Sequence, residues 1–387
     1  MASKKKILLI TRSFYPHNSA RSIRSSELAI EFARQGHDIT VLTFKEPGQE
    51  RYAEEFGIKF KYMRYPRWKA VKVKGKGPEL LFRRLLARFS KLFVEYPDIE
   101  IMYAVSRALK KESGYDLLIS VAVPYPIHWG VARVRTSKHQ IAKVWAADCG
   151  DPYMGNLSDS FKKPFYFAYL EKNFCRKADY VVVPIEGAKA AYYPEFQDKL
   201  EVIPQGLFFP ELDRTPPEND VVSFAYAGNI RSYLHYARPF FEYLEKSGKE
   251  FKFVIVTRDK EVFLNGLPQS EAKLEFHDYM PREELLQLLS RQHFLVHFPY
   301  LNDRQKSLKL VDYIYTGRPI LSYQATEKDH EKLASYLNGD FSEVDDFGSI
   351  EPYRAENVAL AFTGLAERKP PSAMVSDQIE RRSQEQS

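Results

Sequence analysis

A chain of 387 residues, 44% hydrophobic and 28% charged, has the balance of a folded globular protein and enough length for two separate cores. Its two cysteines, Cys149 and Cys175, form no CxxC or Cys/His cluster, so neither a disulfide framework nor a zinc site is indicated, and a reducing cytoplasm fits. The net charge of +6 is mild but unevenly placed along the chain.

The first apolar run, residues 7–10, ends at Thr11 and Arg12, far short of a signal-peptide core. No run reaches transmembrane length. Residues 6–11 read as a buried parallel strand, 13–22 as a polar loop, 25–35 as a helix and 39–43 as a second strand. This is a βαβ opening without G-x-G-x-x-G, so a dinucleotide fingerprint is absent. Arg21 and Arg24 follow the first loop and are candidate anion contacts; the alternative is two surface arginines.

Residues 59–91 are dense in Lys and Arg against the single acid Glu79. Rings and leucines are interleaved, and 79–93 at helical spacing gives an apolar stripe flanked by Arg83, Arg84 and Arg88. A basic amphipathic helix beside a loop carrying Trp68 suits an anionic membrane surface. The alternatives are a core helix with a solvated basic face and a nucleic-acid patch, and nucleic acid is not expected as a partner.

Strands follow at 115–120, 140–146, 178–184 and 200–204, with helical runs at 130–134, 161–176 and 186–193. Loops after the first two strands carry His128 and then Asp148 and Asp151. Ligands of parallel sheets gather at such strand ends. Transfer to a hydroxyl by inversion needs a base, for which Asp148 and Asp151 are candidates and His128 the alternative. Each also has a local reading, as turn, cap or buried imidazole. Residues 207–220, rich in Pro and acids, read as a linker.

The second half repeats the alternation, with strands at 222–227, 251–256, 274–277 and 294–298 and a helix at 282–290. Gly228 and Asn229 follow its first strand; Gly228 lets backbone approach a phosphate that Arg231 neutralises. Residues 307–321 then read as a helix capped by Ser307, ended at Gly317 and Pro319, and followed by a short strand. Its N-terminus, with Leu308 and Lys309, is an anion site. Asp312, three residues on, suits two ribose hydroxyls. The alternative is a helix–turn–strand with a surface ion pair. Residues 333–337 and 358–367 look helical, and 374–387 form a polar tail.

The segment Lys309, Leu310, Asp312, Tyr313, Gly317, Pro319 resembles the Ser-Lys-Leu-x-Glu-Tyr-x-x-x-Gly-x-Pro stretch of glycosyltransferases with the GT-B fold, close to glycosyltransferase family 4. Pro124 with His128, and Asp148, Asp151, Pro152 and Tyr153, are similar to that family's loops of the first domain. Asp312 stands for the usual Glu, and Arg304, beside Asp303, stands where retaining members carry a second Glu. The resemblance implies an α/β chain of two Rossmann-like domains facing a central cleft. Residues 1–206 would bind acceptor, 207–220 link, 221–373 bind the nucleotide sugar, and 374–387 possess the option of packing back. Tyr279 and Met280 would flank the nucleotide base.

The implied activity is hexosyl transfer from a UDP- or GDP-linked sugar to a lipid-linked glycan, polyprenyl- or lipid A-borne, in cell-surface polysaccharide, lipopolysaccharide or glycan synthesis. The nucleotide sugar is a co-substrate, and no cofactor or metal is expected. The expected place is the cytoplasm, peripheral on the inner face of the cytoplasmic membrane. A nucleotide-sugar epimerase of the same fold, or a non-catalytic nucleotide-sugar-binding protein, are the rival readings.

Overall fold

The computed structural model describes residues 3–17, 19–74, 76–156, 161–215, 221–266, 273–299, 308–369 and 371. Ser307, Asp303, Arg304, the linker residues 216–220 and the tail 374–387 lie outside the described residues. The chain divides into two compact units, one running to Phe208 and resuming at Pro352, the other Phe209–Glu351.

The first unit is a seven-stranded parallel sheet. Its strands are β1 (Lys6–Ile10), β2 (Asp38–Thr43), β3 (Lys59–Tyr62), β4 (Tyr115–Ala122), β5 (Ala142–Cys149), β6 (Tyr180–Val183) and β7 (Leu200–Val202), ordered β3-β2-β1-β4-β5-β6-β7. The near-continuous apolar runs of β1, β4 and β6 are what a sheet covered on both faces requires. Helices α1 (Ala20–Arg34), α2 (Gln49–Phe56), α3 (Gly77–Val94), α4 (Ile99–Leu109), α5 (Pro126–Val134) and α6 (Phe167–Lys177) connect them. Ser19 Oγ caps α1 by accepting from Ser22 N–H at 3.2 Å. Three of these elements were not expected. β3 is a short edge strand of sequence KFKY whose lysines read as part of the basic stretch. α2 buries only Gln49 and Tyr52, too few for an apolar period to show. α4 buries Ile101, Ala104, Val105 and Leu109.

The second unit is a five-stranded parallel sheet ordered β10-β9-β8-β11-β12. The strands are β8 (Val222–Ala227), β9 (Phe251–Val256), β10 (Leu274–His277), β11 (Phe294–His297) and β12 (Ile320–Ser322). Helices α7 (Leu234–Lys246), α8 (Lys260–Gly266), α9 (Arg282–Ser290), α10 (Leu308–Thr316) and α11 (Glu327–Leu337) complete it. Much of the chain's aromatic content is spent here: the Phe224 ring lies 4.5 Å from Phe253 and 4.6 Å from Phe294, one ring from each of three adjacent strands. Residues 209–215, expected as linker, are part of this unit. Asp213 O accepts from Ser290 Oγ at 2.8 Å, and Arg214 O from Arg318 Nη2 at 2.6 Å.

The last helix, α12 (Ala355–Leu365), was expected in the second domain and belongs to the first unit. Val358, Ala359, Phe362 and Leu365 are buried in one cluster with Leu28, Ala29 and Phe32 of α1. Gly206 makes the approach possible: a Cβ there would stand 3.2 Å from Ala355 Cα and 3.1 Å from Val358 Cβ. Leu207 N–H donates to Tyr353 O at 2.8 Å and Ala355 N–H to Leu207 O at 3.1 Å, so the chain leaves and re-enters this unit side by side. Among the described residues no helix is long and apolar enough to cross a membrane.

Candidate functional site

In the second unit, α10 and the end of β8 are tied by one bond, Ala227 N–H to Tyr313 Oη at 2.8 Å. The next residue, Gly228, sits at φ +131°. Lys309 Nζ lies against it: a Cβ at Gly228 would come within 1.8 Å of that nitrogen. The missing side chain is what leaves room for the ammonium. Its neighbours are rings, with the Tyr226 centroid at 5.4 Å and Tyr233 at 6.0 Å. Among the described residues no carboxylate pairs with it. Burial alone pulls its pKa from 10.5 to about 8. A partly desolvated cation with no counter-ion among the described residues, at the first turn of a helix, is an arrangement that an anion completes.

Asp312 is one turn further along α10. Arg282, at the start of α9, donates to its Oδ1 from Nε at 3.0 Å and from Nη2 at 2.7 Å. Burial raises the Asp312 pKa and Arg282 opposes the rise. Both bonds fall on one carboxylate oxygen. Arg282 was not singled out in the sequence, where nothing links position 282 to position 312.

The other expected contacts of this unit differ. Arg231 is exposed and its Nε donates to Asp259 Oδ1 at 2.9 Å, so its charge is already offset. Asn229 Oδ1 accepts from Arg231 N–H at 2.8 Å, closing the turn after Gly228. Tyr279 is exposed with the Arg258 guanidinium 4.1 Å from its ring centre. Met280 packs on the cluster containing Leu289 and Tyr313, which makes it a wall residue of the core. Leu308 begins α10, and its side chain lies outside the described residues.

In the first unit, the three candidate bases separate. His128 is fully buried. Trp145 Nε1–H donates to Ser120 Oγ at 2.8 Å, and the Ser120 hydroxyl reaches His128 Nδ1 at 2.8 Å. Nε2 lies 3.5 Å from Cys149 Sγ. Burial lowers the imidazole pKa to about 3, so the ring is neutral and enclosed, which corrects its expected role as a base.

Asp148 is also fully buried, joined by a short hydrogen bond to Arg24 Nη2, while its Oδ2 has no hydrogen-bond partner. Burial raises its pKa to about 6 and Arg24 opposes the rise. Neither the base role of Asp148 nor the acceptor contact of Arg24 fits a pair sealed from solvent; the two hold α1 against the end of β5. Arg24→Met is expected to destabilise the protein by roughly 3–5 kcal/mol, because it strands a buried carboxylate. The loss should be larger at pH 8 than at pH 5, where Asp148 takes a proton and needs no partner. Urea unfolding at the two pH values measures both.

Asp151 remains accessible. Its side chain is about half exposed, its Oδ2 lies 3.8 Å from Arg21 Nη2, and its backbone O accepts from Tyr125 Oη at 2.5 Å. Beside this pair, the ends of β1, β2 and β4 enclose a cavity of about 660 Å³. Arg12, Arg21 and Lys91 supply cations to its wall, His17 an imidazole, Glu46 and Asp98 acids, and Val123 and Pro124 the floor from the loop before His128. Arg12 bonds Asp98 at 2.5 Å, and Tyr65 Oη donates to Glu46 Oε1 at 2.8 Å. Such a mix of fixed donors and acceptors suits a polyhydroxylated ligand. None of Arg12, His17, Glu46, Tyr65 and Asp98 was foreseen; only their place after the strand ends was.

α3 buries none of its residues. Leu81 is 60% and Phe82 65% exposed, and Leu85, Leu86, Phe89 and Phe93 are exposed with them. Arg83 pairs with Glu79 at 2.8 Å, whereas Arg84 and Arg88 point to a separate cavity. Trp68 is half exposed and stacked 5.5 Å from Tyr96. These exposed apolar side chains lie on a helix that also carries Arg83, Arg84 and Arg88.

Residues 24–207 match the model of Glycosyltransferase Family 4. No curated protein matches the sequence. The structure is similar to the apo form of the lipopolysaccharide outer core galactosyltransferase WaaB, with 14% identity, 93% of this chain and 98% of that chain covered, and a TM-score of 0.55. It is similar to TarM at 10% identity, 98% coverage of both chains and a TM-score of 0.52. A glycosyltransferase from Rickettsia africae ESF-5 gives 14% identity, 98% coverage of both and a TM-score of 0.50. The fold these share with the chain is GT-B, two Rossmann-like domains.

Proposed function

We propose that this chain, a glycosyltransferase of the GT-B fold, moves a sugar from a UDP- or GDP-linked donor to a hydroxyl of a lipid-linked glycan. The setting is the assembly of cell-surface polysaccharide, lipopolysaccharide or glycan. The observation that carries the reading is Lys309, a partly buried ammonium with no ion pair among the described residues, set against Gly228 at the first turn of α10.

In this reading the donor's diphosphate takes the place of the missing counter-ion, and its ribose hydroxyls meet Asp312. As the bond between the sugar's anomeric carbon and the diphosphate breaks, negative charge grows on the leaving phosphate oxygen. Lys309 stabilises that charge, and its partial withdrawal from water strengthens the effect. The acceptor hydroxyl bonds to the anomeric carbon, and its proton passes to Asp151, the one accessible group of the three candidates. The protein's own cations stabilise the leaving group, so turnover is expected to persist in EDTA.

The acceptor class is supported by α3. A helix with Arg83, Arg84 and Arg88 beside exposed leucines and phenylalanines, near Trp68, is suited to rest on anionic lipid at the inner face of the cytoplasmic membrane. The fold neighbour WaaB is a lipopolysaccharide outer core galactosyltransferase, an activity that fits this class.

A thermal-shift panel of nucleotide sugars tests the donor assignment. A UDP- or GDP-linked sugar should raise the melting temperature by mass action, as should the matching free diphosphate. A flat response to every member of the panel contradicts the proposal.

A further inference from the structure

We infer that the second cavity of the first unit, beside α3, binds the phosphate that joins the acceptor's sugar to its lipid; this rests on the lipid-linked acceptor proposed above. The cavity measures about 430 Å³. Arg84, Arg88 and Lys91 line it, spaced i, i+4 and i+7 on one face of α3, and Lys163 faces them from the segment before α6. No carboxylate is among its described lining residues. Glu95 offsets Lys163 at 2.6 Å, but among the described residues Arg84 and Lys91 have no acid partner. The rest of the wall is apolar, from Val73, Ala87 and Leu92. Cations converging on one recess favour a multiply charged anion over a single carboxylate.

The surroundings narrow the ligand further. Lys91 also lines the larger cavity beside Asp151 and Arg21, so the two recesses share a wall. On α3 the row next to the cations is Leu81, Leu85 and Phe89, spaced i, i+4 and i+8 and exposed. A polar sugar recess, a cationic recess and an apolar row therefore follow one another. An ester with the same order of groups is a sugar phosphate or diphosphate of a long-chain alcohol. Bulk attraction to anionic lipid would explain the charge of the 59–91 stretch but not the convergence of four cations on one recess, since each lysine or arginine would then contribute about equally.

Calorimetric titration of the full chain with farnesyl diphosphate tests the site. Lys91→Gln should weaken binding by about tenfold, the size of one charge-assisted contact. Lys76→Gln removes the same charge from the same basic stretch, outside the cavity lining, and should change affinity by less than about twofold. Farnesol, which lacks the phosphates, and inorganic pyrophosphate, which lacks the chain, should each bind far more weakly than the joined molecule. Equal losses in K91Q and K76Q would reduce the effect to surface charge and overturn the inference. Equal binding of farnesol, or of pyrophosphate, would overturn it as well, leaving a greasy patch or a free-phosphate site. Adding vesicles of phosphatidylglycerol should leave the K91Q-to-wild-type ratio unchanged; its collapse to one would assign the cations to lipid headgroups. Donor binding at Lys309 is read separately in the nucleotide-sugar panel, so failure here with donor binding intact removes this site alone.

Discussion

Lys309→Met should lower kcat/KM for the nucleotide sugar by about 10²–10³ and raise the stability of the free protein. The two effects have one cause. Folding carries the ammonium into a partly buried place beside Gly228, Tyr226 and Tyr233, with no acid to meet it among the described residues. The pKa falls from 10.5 to about 8. A lysine whose folded pKa is depressed costs stability below that folded value, and the cost is relieved as pH rises through the unfolded one. At pH 7 the cost is of the order of 3 kcal/mol, and methionine, which has similar reach and no charge, removes it. A variant that melts higher yet turns over slowly marks a residue held for binding rather than for folding. A second consequence concerns pH. In the wild type, donor affinity should fall as pH rises through about 8, where the free enzyme loses the ammonium, and this slope should be absent in K309M. Initial rates across pH 6.5–9.5 and a melting curve for each protein settle these points together.

Asp151→Asn should reduce kcat by about 10²–10⁴ while leaving KM for the donor and the melting temperature close to wild type. The carboxylate is half exposed, faces Arg21 across 3.8 Å and sits on a turn fixed by Tyr125 Oη through the backbone, so the amide can replace it without repacking. Asp148→Asn should behave in the opposite way. It leaves Arg24 without its partner in the interior and lowers the melting temperature. Steady-state kinetics and thermal denaturation of the two variants, run side by side, separate a group that moves a proton from one that holds α1 to β5. Full activity in D151N would return the role of base to a group not yet identified.

The reach of the sequence follows how local each feature is. ILLI in β1 and VVV in β6 announce buried parallel strands by composition alone. Gly317 and Pro319 end α10 by their own backbone preferences. The membership of α12 does not follow from its own pattern. Val358, Ala359 and Phe362 would serve either core, and the choice is made by Gly206 and by α1, more than 140 residues earlier. The same holds for the site. That a lysine opens α10 is legible; that it lies on Gly228 depends on Tyr313 reaching Ala227 across 86 positions. His128, Asp148 and Arg24 were legible as residues worth naming. Their enclosure was not, since it depends on Ser120 and Trp145 from neighbouring strands and on a pair 124 residues apart in the chain.

The central claim is that the donor supplies an anion to Lys309, which has no acid partner among the described residues. A crystal of the protein soaked with UDP or GDP tests this directly. The diphosphate should lie with an oxygen about 3 Å from Lys309 Nζ, over Gly228 and at the first turn of α10, with a ribose hydroxyl on Asp312. A diphosphate bound elsewhere, with the ammonium still facing only the rings of Tyr226 and Tyr233, would contradict it.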